Sequence, residues 1–198
     1  IFVRFSGCNM WNGKPEDRQK WHGISGAHCA LYCDTDFFGG TRQTLSDIRS
    51  EIIKAAGDAD VQNFICVLTG GEPMLQVDEN ILMMINNLGM DVHIETNGSI
   101  EIEEDIINLF DHVVCSPKQN AASEIELSVC DDLKITYPNP LSLVERYVDM
   151  FPDAKVYIQP VDTGDENINS TNNDLCIKLC MDNGWYLSVQ NHKILGLP

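Results

Sequence analysis

Cys8, Cys29 and Cys33 follow the spacing C-x20-C-x3-C near the start of a chain of 198 residues, and Asp34-Thr35-Asp36-Phe37 comes directly after them. Farther along stands Thr69-Gly70-Gly71-Glu72-Pro73. Three thiolates can hold three irons of a cubane cluster and leave the fourth iron open to a substrate or cofactor, which a cluster held by four cysteines cannot offer. A glycine pair presents backbone without Cβ atoms, so a ligand can come close to it. His28 is an alternative to Cys29 as the middle ligand, although a thiolate is the softer match for iron–sulfur. The same thiols also suit a structural zinc site, but such sites close with four ligands and no fourth is obvious nearby.

The segments that must position these residues alternate between strand and helix signals. Apolar runs over 1–5, 63–68, 90–95, 112–115, 132–135, 155–158 and 185–189 read as strands. Helical spacing covers 44–56, with Thr44 or Ser46 as cap and Gly57 as stop. Further helices are expected over 78–88, 103–110, 141–150 and 171–182, while the polar run 162–173 reads as a mobile surface loop. The order predicts an α/β fold with a parallel sheet and crossover helices. Gly70-Gly71, Asn97-Gly98, Ser116-Pro117-Lys118 and Gln159-Pro160 each follow a strand. Carboxyl ends of parallel strands are where active sites of such folds form.

The formal net charge of -17, from 30 acidic and 13 basic residues, opposes phosphate backbones and argues against nucleic-acid binding. No apolar run approaches the ~20 residues that span a bilayer, so no membrane role is expected. Of the eight cysteines, Cys66 and Cys115 sit inside apolar strands as small hydrophobes. Cys176 and Cys180 stand four apart on a predicted helix, where packing explains them, and His93 and His112 read as structural histidines within strands. The chain opens at Ile1 directly in a strand, which suggests a preceding segment. A reducing cytoplasm is the expected compartment.

Taken in order, Phe2-Val3-Arg4-Phe5, Gly7-Cys8-Asn9, Cys33-Asp34-Thr35, Thr69-Gly70-Gly71-Glu72-Pro73 with Gln76, Glu95-Thr96-Asn97-Gly98, Ser116-Pro117-Lys118, Gln159-Pro160 and the ending Gln190-x-His192-Lys193-x-x-Gly196-x-Pro198 resemble the 7-carboxy-7-deazaguanine synthase family of radical S-adenosylmethionine (SAM) enzymes. The usual radical SAM spacing is C-x3-C-x2-C, so this chain departs on both sides, and 9–28 reads as an insertion holding a short helix. The resemblance implies a single domain over 1–198 with a small incomplete (β/α) barrel. It implies conversion of 6-carboxy-5,6,7,8-tetrahydropterin to 7-carboxy-7-deazaguanine with loss of ammonia, in queuosine-type 7-deazapurine biosynthesis. The implied cofactors are a 4Fe-4S cluster on Cys8, Cys29 and Cys33, SAM, and Mg²⁺ on Thr35 with Asp34 and Asp36 beside it. Tyr32, Asp34, Gly71, Ser116, Pro117, Lys118, Gln159, Pro160, Val161 and Asp162 fall in the implied SAM pocket. Arg4, Thr69 and the terminal carboxylate of Pro198 fall to the substrate, and Glu95 and Asn97 to the same rim without an assigned role. An electron donor such as flavodoxin and a homodimer complete the implied partners.

Two other readings stay open on the residues. A radical SAM activase that makes a glycyl radical on a partner protein would also use three cysteines and a glycine-rich rim. A non-catalytic zinc- or nucleotide-binding module would need the thiols only for structure.

Overall fold

The computed structural model describes residues 1–26, 28–118 and 124–196. They gather into two compact units, Ile1–Cys130 and Asp131–Pro198. The first contains β1 (Phe2–Phe5), α1 (Arg18–Ser25), α2 (Cys29–Tyr32), α3 (Leu45–Ala56), β2 (Ile65–Gly70), α4 (Glu79–Asn86), β3 (Asp91–Thr96), α5 (Glu104–Ile107) and β4 (His112–Cys115). The second contains β5 (Asp132–Tyr137), α6 (Leu141–Met150), β6 (Lys155–Pro160), α7 (Glu166–Asn183), β7 (Tyr186–Leu187) and α8 (Asn191–Leu195).

In the first unit β1, β2, β3 and β4 pair in sequence order, all parallel. In the second, β5, β6 and β7 do the same. A parallel strand covered on both faces reads as a continuous apolar run. Here the strands alternate instead. Cys66, Leu68, Val92, Ile94, Val113 and Cys115 point to one buried face, while Phe2, Arg4, Val67, His93, Glu95 and His112 point to the other, more open face. The buried face meets helices such as α4, whose Ile81, Leu82 and Ile85 share one buried stripe. Each such side chain contributes about 1.5–3 kcal/mol when taken out of water. The polar face is thereby left to carry chemistry.

The helix starts have local causes. Thr44 and Asp47 form a reciprocal capping box at α3, the Asp47 N–H donating to Thr44 Oγ1 at 3.2 Å and the Thr44 N–H to Asp47 Oδ2 at 2.9 Å. Asp78 caps α4 by accepting from the Ile81 N–H at 3.0 Å.

The polar run expected as a loop over 162–173 is instead largely helix, because α7 begins at Glu166. The polar residues are used locally. Asp165 accepts from the N–H groups of Asn167 and Ile168 at 2.9 and 3.2 Å. Asn169 accepts from the Thr163 N–H at 2.8 Å, and Asn172, buried, donates to the Val161 carbonyl at 2.9 Å. Composition alone hides this, since side chains that cap and back-bond are the same types that favour loops. Strands β5 and β6 each run two residues past the expected ends, pairing Thr136 with Gln159 and Tyr137 with Pro160. The helix expected over 103–110 is a single turn, and α2 and α8 lie where no helix was expected.

If Asp165 starts α7, Asp165→Ala should cost about 1 kcal/mol, read as a lower urea midpoint and faster hydrogen exchange at the Asn167 and Ile168 amides. Unchanged protection at those amides would show that another interaction nucleates the helix.

Candidate active site

β1 ends at Phe5, and the chain then crosses the end of β2. The Gly71 N–H donates to the Phe5 carbonyl at 3.0 Å, and the Glu72 N–H to the Gly7 carbonyl at 2.9 Å. Only glycine permits this crossing. A Cβ at Gly70 would overlap the Phe5 backbone, and one at Gly71 would overlap the Gly7 carbonyl and lie 3.1 Å from Cys8 Cβ. Gly70 also has φ +129°, which L side chains rarely adopt. The glycine pair thus first serves to seat the Cys8 loop on the strand end. Gly71 has its N–H occupied by that crossing.

Glu72 is fully buried. Its carboxylate accepts from the Met74 N–H at 3.1 Å, Thr96 Oγ1 at 2.7 Å and the Asn97 N–H at 2.7 Å. Burial pushes its pKa above the ordinary carboxylate range, and these donors together with the Lys118 ammonium pull it back. All three donors suit the ionised form, which only accepts. The same knot continues outward. Asn97 Nδ2 donates to Asn9 Oδ1 at 2.9 Å, Asn9 Nδ2 to Ser99 Oγ at 2.7 Å, and Gln76 Nε2 to the Ser6 carbonyl at 2.6 Å. The loop bearing Cys8 is therefore held from β2, from β3 and from the turn after Glu72.

The three sequence-predicted cysteines come together around that loop. All are half-buried and form no disulfide. Cys8 and Cys33 pack against a small cluster of Trp11, Ala30 and Phe37. Burial pushes the Cys29 thiol up to about 12 against the opposing pull of Lys118, and Cys8 and Cys33 add to the rise. Cys8 also rises through burial, partly offset by the backbone N–H groups of Met10 and Trp11. Iron binding deprotonates such thiols outright. The middle position expected for Cys29 opens α2, and His28 stands at the cap of that turn.

Among the described residues no group of three or more His, Cys, Asp or Glu gathers tightly enough for a single metal ion. A cubane asks for something different, because each of its three cysteines bonds a different iron and the sulfurs stand apart. Half-buried thiols fit that demand: Cys8 and Cys33 pack on one apolar cluster, and both stand close enough to Cys29 to raise its pKa further.

Lys118 brings the Ser116-Pro117-Lys118 segment to the same site. Its Nζ donates to Ser116 Oγ at 2.6 Å, and its charge reaches Cys29, Glu72 and Cys115. Arg4 and Thr69 are register partners on β1 and β2, and Thr69 Oγ1 donates to Glu95 Oε2 at 3.2 Å. Arg4 lies over the Phe2 ring at 5.7 Å. Tyr32 and Asp34 are exposed, flanking Cys33, while Thr35 is half-buried with its carbonyl 4.0 Å from Cys33 Sγ. His93 and His112 are neighbours across β3 and β4 with ring centroids 5.0 Å apart. Pro198 lies outside the described residues.

In the second unit, Gln159, Pro160, Val161 and Asp162 lie at and just past the carboxyl end of β6. Gln159 Oε1 accepts from Ser188 Oγ at 3.2 Å. Asp162 accepts from Lys193 Nζ at 2.7 Å, the Gly164 N–H at 3.0 Å and Asn169 Nδ2 at 2.7 Å, which lower its pKa to about 2. Cys176 and Cys180 face the interior from α7, and burial raises both thiols.

Sequence reasoning missed Trp11 and Arg18, and quoted Asn9 within the Gly7-Cys8-Asn9 motif without a role. Arg18 donates to the carbonyls of Ala30 and Cys33 at 3.0 and 2.8 Å, tying the 9–28 segment to the cysteine turn. The available signal was a tryptophan three residues after Cys8 in an otherwise polar stretch.

No protein-family model matches the chain. It is 34% identical over 206 aligned positions to the 7-carboxy-7-deazaguanine synthase of Caulobacter vibrioides, covering 100% of this chain and 89% of that protein. It is 35% identical over 204 positions to the enzyme of the same name from Bradyrhizobium diazoefficiens, with the same coverages of 100% and 89%. The crystal structure of QueE from Escherichia coli superposes with a TM-score of 0.66 over 96% of this chain and 84% of that one, at 19% identity, a likeness of fold alone.

If the crossing at Gly71 seats the Cys8 loop, Gly71→Ala should cost about 1–3 kcal/mol through overpacking and reduce iron uptake with every cysteine intact. Urea unfolding and iron per chain check this. Wild-type stability together with full iron loading would contradict it.

Proposed function

The chain belongs to the 7-carboxy-7-deazaguanine synthase family of radical SAM lyases, and on that premise we propose that it converts 6-carboxy-5,6,7,8-tetrahydropterin to 7-carboxy-7-deazaguanine with loss of ammonia, in queuosine-type 7-deazapurine biosynthesis. The observation that carries the reading is the meeting of Cys8, Cys29 and Cys33 with Lys118 beside a strand end whose glycines and buried Glu72 fix the Cys8 loop.

In this reading Cys8, Cys29 and Cys33 hold a 4Fe-4S cluster. Bound there, the cluster and SAM supply the one-electron cleavage that releases a 5′-deoxyadenosyl radical, the hard chemistry that a cofactor brings to a protein. The chain's own work is orientation and exclusion of water. Gly71 would lie against SAM, and Lys118 would bring a positive charge to the SAM site. Ser116 and Pro117, with Tyr32 and Asp34 near the cysteine turn, contribute the wall on the first unit. The family resemblance also assigns SAM contacts to Gln159, Pro160, Val161 and Asp162, at the end of β6 and in the turn after it.

Arg4 suits the pterin carboxylate or carbonyl, because a guanidinium offers a fixed fork of donors. Thr69, held by Glu95, contributes a hydroxyl to the same polar face. Thr35 would hold Mg²⁺ through its hydroxyl, in keeping with that ion's habit of retaining several waters, and the ion would supply charge stabilisation to the substrate carboxylate. By the same resemblance Pro198, outside the described residues, would offer its terminal carboxylate to the substrate. A flavodoxin-type electron donor, a homodimer and a cytoplasmic setting belong to the same proposal. No helix among the described residues is long and apolar enough to cross a membrane.

The test is anaerobic turnover of reconstituted protein with the pterin, SAM and a reductant. A deazapurine product is expected, whereas an activase would leave the pterin untouched. Cys29→Ala should lose the cubane absorbance and at least a hundredfold of SAM cleavage by analogy with loss of an essential reacting group, with His28→Ala retaining both. The opposite pattern would move the middle ligand to His28.

A further inference from the structure

Trp11 is only 2% exposed, yet its indole Nε1–H has no hydrogen-bond partner. A buried indole N–H normally finds an acceptor, and leaving one unpaired is costly. The ring is packed between two neighbours. Phe37 meets it edge-on with centroids 5.5 Å apart, and the Arg18 guanidinium covers it at 4.5 Å while donating to the carbonyls of Ala30 and Cys33. The side chains packed on this cluster are Cys8, Trp21 and Cys33. Two of those three end in sulfur. A neutral thiol is a weak acceptor, but a thiolate bonded to iron is a good one.

We infer that Trp11 donates its indole N–H to the ligating sulfur of Cys8 or Cys33 when the cluster is bound, and that this bond raises the cluster's reduction potential. The inference rests on the cluster reading of the three cysteines and gives the 9–28 segment a task within it. An added electron increases negative charge on the sulfurs, so a donor to sulfur binds the reduced form more tightly than the oxidised one. Arg18 acts in the same direction, because its guanidinium is fixed over the indole and against the cysteine turn. Trp11 is a positioning and tuning residue here, touching a ligand rather than the reacting atoms.

The test compares reconstituted wild type, Trp11→Phe and Trp21→Phe by redox titration followed with electron paramagnetic resonance. Phenylalanine keeps an aromatic ring under Arg18 and removes the N–H together with part of the indole's bulk, a truncation that Trp21→Phe repeats beside the same cluster. Trp11→Phe should shift the oxidised-to-reduced ratio at fixed potential about tenfold toward oxidised, about 59 mV lower for one electron. Trp21→Phe should match wild type. A second measurement needs no substitution at Trp11. Pulsed resonance on the reduced cluster of Trp21→Phe protein labelled with ¹⁵N-indole tryptophan should reveal a ¹⁵N coupling. Coincident midpoints for wild type and Trp11→Phe, or absence of that coupling, would overturn the inference while the cubane itself stands. A wild-type chain that assembles no cubane would overturn the cluster reading, and this inference with it.

Discussion

The structure turns on one crossing, where the loop after β1 lies against the end of β2 with no room for a single extra carbon at Gly70 or Gly71. Close backbone approach of this kind is fixed by sterics, so it sets Cys8 relative to the sheet more firmly than any surface contact would. Glu72 then locks the crossing from the next residue. A buried carboxylate is expensive unless its oxygens are met by donors, and here Met74, Thr96 and Asn97 meet them. The net gain in stability from such a knot is modest, because burial is repaid by the hydrogen bonds rather than exceeded. What it secures is position.

The sheet makes the second contribution. Because the buried apolar residues pack on one face of the strands, the opposite face, which also carries Phe2 and Val67, keeps Arg4, Thr69, Glu95, His93 and His112 in two adjoining rows set by the parallel register. Thr69 and Glu95 meet because their strands are neighbours in that register, although 26 residues separate them in sequence. The apolar face provides the stability that lets the polar face carry groups that would otherwise weaken a core.

Much of this was legible in the order of residues. The alternation of apolar runs and helical spacing gives the α/β class and parallel order, and Thr44, Asp78 and Gly57 act at helix ends where their types point. The long start of α7 was not legible, because Asp165, Asn169 and Asn172 favour loops unless their side chains find caps and carbonyls, which depends on Val161 and Thr163 coming near. At the site, the cysteines and the Gly-Gly-Glu stretch stood out by type and spacing. The steric reason for the glycines did not, since the backbone that fills their missing Cβ positions comes from residues 5–8, more than sixty positions away. Trp11 and Arg18 were hidden for a similar reason. Their meaning lies in what packs on them, and a tryptophan in a mostly polar stretch does not reveal its neighbours.

The most direct measurement is electron paramagnetic resonance of the anaerobically reconstituted, reduced chain, recorded with and without SAM. Three cysteines around a seated Cys8 loop predict a cubane signal that changes when SAM is added, because one iron is left for it to bind. A cubane signal indifferent to SAM, or no cubane at all, would contradict the account.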